Sequence, residues 1–309
     1  MVGVRLLALS ALIVPAGLAA QASPTVGDTV PSIVADSAPR PASALSRLFG
    51  WSGKLRVHFL PAMRAADSSA MFTGDSVAGT QVAFITLLPF SVKSGGRVGG
   101  YHVGYWPAER RRARTGMYEN PDGFVEVTPE NEDTPVSEHF RLRDFLTHDQ
   151  EGIWPKYMVL REEIVDKLEL IIDDLQAHGH RVDRLVVMSG FRTPEYNAQG
   201  VGRRGGRARD SRHQFGDAAD IYVDNGSGAM ADLNGDGRVD SRDARVLLES
   251  VDRVEAAHPE LVGGAGVYRG TRLHGPFLHV DCRGEAARWS VTTGERLHRT
   301  NRTTRKRVS

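Results

Sequence analysis

Arg184-Leu185-Val186-Val187-Met188-Ser189-Gly190-Phe191-Arg192-Thr193-Pro194 opens as a buried strand, runs into a Ser-Gly pair and passes at Pro194 into a helical segment, because proline suits the first turn of a helix. Upstream, Leu160, Ile164, Val165, Leu168, Ile171, Ile172 and Leu175 recur at helical spacing with charges between them, and Gly179 stands where a helix stop belongs. Downstream, strands are predicted at 218–223, around 264–268 and at 277–282. Helices come first and strands gather after them. That order predicts an α+β fold, a small antiparallel sheet with flanking helices.

Within 277–282 side chains alternate between faces, so Phe277, His279 and Asp281 share one face and Leu278, Val280 and Cys282 the other. Cys282, the one cysteine, therefore reads as a small core residue, and a lone cysteine excludes an internal disulfide. His213 ends a loop rich in Gly and Arg, and Gly216 lets the chain turn before Asp220 enters the next strand. Taken alone, that His and Asp are weak evidence, since a surface imidazole and a capping carboxylate explain most such pairs.

At 309 residues and 40% hydrophobic content the chain can bury a full core and holds more than one expected domain. Arg5, the apolar run at 6–20 and Ala20-Gln21-Ala22 predict an export signal over 1–22. The mature chain is then expected to be secreted or periplasmic, at the cell envelope. No later run is apolar for long enough to cross a bilayer, and no cysteine follows the first one for lipid attachment. Residues 23–46, rich in Pro, Ser and Ala, predict a flexible linker. Over 47–135, β-type runs at 55–60, 81–88 and 123–127 alternate with turn residues and predict a small β-rich accessory domain. Its Arg110-Arg111-Arg112 run beside Tyr101, Tyr105 and Trp106 reads as a solvated turn next to core aromatics. Residues 136–290 form the expected main domain, and 291–309 a basic tail carrying Arg296, Arg299, Arg302, Arg305, Lys306 and Arg307. The 39 basic and 38 acidic residues nearly balance, so charge points to no nucleic acid, and no protein partner is identifiable.

Three segments carry a family resemblance. Ser189-Gly190-Phe191-Arg192-Thr193-Pro194-Glu195-Tyr196-Asn197, then Ser211-Arg212-His213-Gln214-Phe215-Gly216-Asp217-Ala218-Ala219-Asp220, then Phe277-Leu278-His279-Val280-Asp281 resemble the zinc D-alanyl-D-alanine carboxypeptidases and murein endopeptidases, which act on peptidoglycan peptides. Trp289 after Arg288, the helix at 160–178 and the segment 139–145 extend the likeness over roughly 136–290. The resemblance implies His213, Asp220 and His279 as zinc ligands. It places Arg192 near the cleft, where a guanidinium fork holds a carboxylate or braces a carbonyl oxygen, with Ser211 and Gln214 as supporting contacts to substrate or ligands. Three protein ligands leave a tetrahedral zinc one open position, the arrangement of catalytic sites. Several relatives carry an acid three residues before the last ligand, and Pro276 stands there in this chain. Asp281 is then the first candidate to move protons, or else orients a ligand, and His274 is the second candidate.

Asp232-Leu233-Asn234-Gly235-Asp236-Gly237-Arg238-Val239-Asp240-Ser241-Arg242-Asp243 resembles an EF-hand or dockerin calcium loop. Oxygen ligands would come from Asp232, Asn234, Asp236, the Arg238 carbonyl, Asp240 and Asp243, with Gly237 at the sharp turn. Ala244, Leu247, Leu248 and Val251 fit a helix after it. A structural Ca2+ is expected there, inside a domain whose Zn2+ is expected to hydrolyse stem peptides or cross-links of peptidoglycan. The alternative is a zinc-containing wall-binding module without turnover.

Overall fold

The computed structural model describes residues 55–61, 75–77, 80–110, 116–202 and 206–291. The expected signal, the linker and all but the first residue of the basic tail lie outside the described residues, as do Arg111 and Arg112. All described residues belong to one compact unit, Ser52–Ser309.

Helix α1 (Glu162–Ala177) buries the predicted stripe, with Ile164, Val165, Leu168, Ile171, Ile172 and Leu175 all inside. Glu162 and Glu163 occupy its first turn, where the helix dipole favours negative charge. The helix stops at Gly179, whose φ of 82° only glycine adopts freely. There the His180 N–H donates to Leu175 O and the Gly179 N–H to Gln176 O, the paired bonds of a Schellman ending. Helix α2 (Pro194–Gln199) is short, with Pro194 in its first turn and the Thr193 hydroxyl accepting from Tyr196 N–H. Helix α3 (Ser241–Ala257) starts in a capping box between Asp240 and Asp243 and packs against α1.

Strands β8 (Arg184–Ser189), β9 (Ala218–Asp224), β10 (Gly264–Tyr268), β11 (Phe277–Asp281) and β12 (Ala287–Val291) form one sheet in the order β12-β10-β11-β9-β8. The four strands from β10 to β8 are antiparallel as expected, whereas β12 joins β10 in parallel and makes the sheet mixed. The register sets Trp289 opposite Gly266, Gly266 opposite His279, His279 opposite Asp220, and Asp220 opposite Ser189. Directly paired residues share a face, so one row of side chains crosses all five strands. A register irregularity between Val187 and Ser189 adjusts β8 at the end of that row.

The second sheet contains β1 (Leu55–Pro61), β2 (Asp75–Val77), β3 (Thr80–Pro89), β6 (Gly123–Val127) and β7 (Lys156–Met158). A hairpin of β4 (Arg97–Val98) and β5 (Tyr101–His102) stands apart from it. Pairing of β6 with β7 crosses position 135. Val57, Trp106 and Phe124 belong to the same buried cluster as Leu278 and Val280. The fold is thus mixed α and β, with small sheets and few helices.

Gly216 closes the turn before β9 with φ 67°, and a Cβ added there would lie 2.3 Å from Val159 O. Gly216→Ala is expected to cost at least about 2 kcal/mol from the left-handed backbone and the clash combined. Urea unfolding would show this as a lower midpoint at unchanged slope, and an unchanged midpoint would mean the turn relaxes freely.

Candidate metal centre

Asp220 and His279 are neighbours in the cross-strand row, and His213 reaches them from the 3-10 turn Arg212–Phe215 just before β9. His213 Nε2 lies 3.1 Å from His279 Nδ1 and 3.3 Å from Asp220 Oδ1, and His279 Nδ1 lies 2.9 Å from Asp220 Oδ1. Four-coordinate ligand atoms at bonds of about 2.0–2.1 Å stand roughly 3.3 Å apart. The triangle matches that spacing. Among the described residues, this is the group of three His, Cys, Asp or Glu side chains whose ligand atoms lie within 4.8 Å of one another.

The outward hydrogen bonds say where the lone pairs point. His213 Nδ1 is 2.7 Å from Gly190 O, which only accepts, so that nitrogen carries the proton and the neutral ring turns a lone pair toward the cluster. His279 Nε2 is 3.1 Å from Asp281 Oδ2 and its Nδ1 is 2.9 Å from Asp220 Oδ1; in the neutral ring with its proton on Nε2, Nδ1 turns a lone pair toward the cluster. With Asp220 Oδ1, three acceptors converge in a buried place. A proton on His279 Nδ1 satisfies two of them at most; a divalent cation satisfies all three.

Charge preferences agree with a cation at the centre. Burial pushes the His213 imidazole toward its neutral form and outweighs the pull of Asp220. Burial also disfavours charge on His279, yet hydrogen bonds to Asp220 and Asp281 prevail and raise its pKa. Burial would raise Asp220, but His213, His279 and Arg192 hold it well below the usual carboxylate range. Metal binding displaces protons from such ligands.

Asp281 contacts the ring nitrogen that faces away from the triangle. Fully buried, it also accepts from Gly264 N–H and from Arg283 Nε, and it is ion-paired to Arg283. Its contact with His279 Nε2 is the geometry of a group that orients a ligand. Arg192 donates through Nε to Ser189 Oγ at 2.8 Å and through Nη2 to Asp220 Oδ2, so one of its nitrogens is anchored on β8 and another braces a candidate ligand. Gln214 is turned into the protein: its Nε2 donates to Arg209 O at 2.8 Å and its carbonyl accepts from Trp106 Nε1 at 2.7 Å. Ser211 lies buried at the start of the turn, and its carbonyl accepts from Gln214 N–H. His274 pairs with Gly275 O and sets its ring edge against Phe277, 5.1 Å between centroids.

Gly266 and Tyr268 were not anticipated by sequence reasoning. A Cβ on Gly266 would fall 2.1 Å from the Trp289 indole, so only glycine lets that ring lie 5.3 Å from His279. Trp289 Nε1 donates to Tyr268 Oη at 3.0 Å, and Tyr268 stacks on Phe277 at 4.6 Å. The run of small residues Gly264, Ala265 and Gly266 ahead of Tyr268 was the only available signal.

In the 232–243 loop, Asp232 accepts from the Gly235, Asp236 and Gly237 N–H groups, and Asp243 from those of Leu233, Asn234 and Asp240. Asn234 accepts from Asp236 N–H, and Asp236 in turn from Arg238 N–H. Arg242 pairs with Asp236 and Asp240, compensating part of the loop's negative charge. Helix α3 follows, with Ala244, Leu247 and Val251 buried.

Neither protein-family models, nor curated proteins, nor solved structures show a match to this chain.

Asp281→Asn keeps the shape and removes the charge behind His279. Metal affinity, measured by competition with a chromophoric chelator, is expected to fall about 10–100-fold. Equal affinity would uncouple Asp281 from ligand strength.

Proposed function

We propose that the chain is an exported zinc metallopeptidase that hydrolyses peptide bonds in peptidoglycan stem peptides or cross-links. The observation that carries this is the buried convergence of His213 Nε2, His279 Nδ1 and Asp220 Oδ1 within 3.3 Å of one another, with the other nitrogen of each ring turned to an acceptor. Two nitrogens and one oxygen at tetrahedral spacing suit zinc and leave a position for solvent or substrate. When bound, the ion supplies Lewis acidity and makes a water molecule more acidic.

The chain's own groups would do the rest. Gly190 O and Asp281 hold the two imidazoles in their ligating tautomers. Arg192 retains Nη1 for a substrate carbonyl or carboxylate while its other nitrogens brace Ser189 and Asp220. The Tyr268 hydroxyl accepts from Trp289, and burial raises its pKa, so it keeps its proton as a donor. The substrate class follows from the likeness of 189–197, 211–220 and 277–281 to the D-alanyl-D-alanine peptidases, and the envelope location from the expected export signal over 1–22.

One observation favours the wall-binding alternative. Pro276 occupies the position of the acid seen in several relatives, and Asp281 is engaged behind His279. Purified protein incubated with peptidoglycan separates the two. Release of peptides that stops on chelation, returns with Zn2+ and disappears in His279→Ala is expected; retention on the wall with no released peptide would establish the binding module.

Calcium in the 232–243 loop is proposed on the spacing of its oxygen ligands and on Gly237, whose φ is 79°. A rise in Tm with added Ca2+ that is lost in Asp236→Ala is expected. The same rise in the variant would take the loop out of any calcium effect.

A further inference from the structure

A cleft of about 340 Å³ lies between the β4–β5 hairpin and α2, lined by Arg97, His102, Tyr105, Arg110 and Glu195 among others. Its volume sits at the small end of ligand sites, which start at roughly 300 Å³, so it suits a group the size of one amino acid.

The walls are rigidly placed. Arg97 pairs with His102 across the hairpin. The His102 backbone is clamped by Gln150, whose Oε1 accepts from His102 N–H at 2.7 Å and whose Nε2 donates to His102 O at 2.9 Å. Gly104 lets the hairpin approach α2, since a Cβ there would lie 2.7 Å from Glu195 N. Glu195 N–H donates to Val103 O.

The charges have a pattern. Arg97 and Arg110 are exposed, and among the described residues neither guanidinium has a carboxylate partner. Two like charges lining one cleft raise each other's energy until an anion enters. Glu195 faces the same space with its side chain 48% exposed, touched only on one oxygen by His102 Nδ1 at 3.3 Å. Tyr105, 43% exposed, carries Arg110 5.5 Å from its ring centre and Lys93 at 4.4 Å, which keeps cationic charge over the aromatic face. Two cations and one carboxylate in one small cleft match a ligand with the opposite arrangement.

We propose that this cleft binds a zwitterionic α-amino-carboxylate group, a carboxylate held by Arg97 and Arg110 and an ammonium held by Glu195. It deepens the peptidase reading and rests on it for one point only, that the group belongs to the peptide acted on at the metal centre. Arg192 braces Asp220, and Pro194, two residues on, lines the cleft. Two residues of chain span at most about 7 Å, so the backbone carrying Arg192 and the backbone lining the cleft are close neighbours. Trp106, bonded to Gln214 O in the turn that carries His213, ties the hairpin side of the cleft to the same centre.

Calorimetric titration of the full chain with diaminopimelic acid, which carries an ammonium and a carboxylate on the α-carbon at each end, tests this. N-acetyl-lysine amide, offering the ammonium alone, and acetate, offering the carboxylate alone, are the comparisons. Expected are saturable binding of diaminopimelic acid that weakens with salt, at least tenfold weaker binding of both comparisons, and at least tenfold loss in Arg97→Gln and in Glu195→Gln at unchanged Tm. Binding is expected to persist in His213→Ala, which separates the cleft from the metal centre. No binding of diaminopimelic acid, equal binding of the comparisons, or full binding in both variants would overturn the cleft assignment. Peptide release from the wall, scored independently, would still stand or fall on the metal centre.

Discussion

Two imidazole nitrogens and a carboxylate oxygen brought within hydrogen-bond distance of one another, more contacts than a single shared proton can satisfy, form the constraint around which the rest of this molecule is organised. Such a convergence is unfavourable in a buried place unless positive charge occupies it. The protein holds it in place through covalently distant supports. Gly190 O fixes one imidazole, Asp281 the other, and Arg192 the carboxylate. Each support uses the atom of its partner that faces away from the centre. The inner atoms form the group that could hold a metal ion.

The sheet converts that local chemistry into a fold-level requirement. Ser189, Asp220, His279, Gly266 and Trp289 are successive members of one cross-strand row, so a slip of one residue in any of four pairings would turn part of the site to the opposite face. Lys167 helps prevent such a slip. Buried on α1, its Nζ donates to Glu255 Oε1 at 2.6 Å, to Leu261 O at 3.0 Å and to Asp281 O at 2.9 Å, joining two helices to the end of β11. A buried ammonium is costly unless all of its donors are used. Here all three are used, and Arg288 completes the network through Glu255 Oε2.

The β-rich segment takes part in the same architecture. Trp106 is fully buried and bonds the turn that carries His213, and β6 pairs with β7 beyond the expected domain boundary. Tyr101 and Trp106 are core aromatics, as the sequence suggested, but Tyr105 between them is exposed beside two cations.

Periodicity in the sequence was sufficient for the elements themselves. Apolar spacing located α1 and its glycine stop, strand patterns located β6, β8, β9, β10 and β11, and Ala244, Leu247, Leu248 and Val251 located α3, because these signals are local and each residue's face follows from its own neighbours. The grouping of His213, Asp220 and His279 was legible only by likeness to a known pattern, since neither the distance from 213 to 279 nor the rotamers are local quantities. Tertiary structure alone decided that Asp281 stands behind His279, that Arg192 braces Asp220, that β12 runs parallel to β10, and that Gly266 makes room for Trp289. Those outcomes depend on register between strands far apart in the chain, and register is set by burial of whole faces rather than by any residue's own preference.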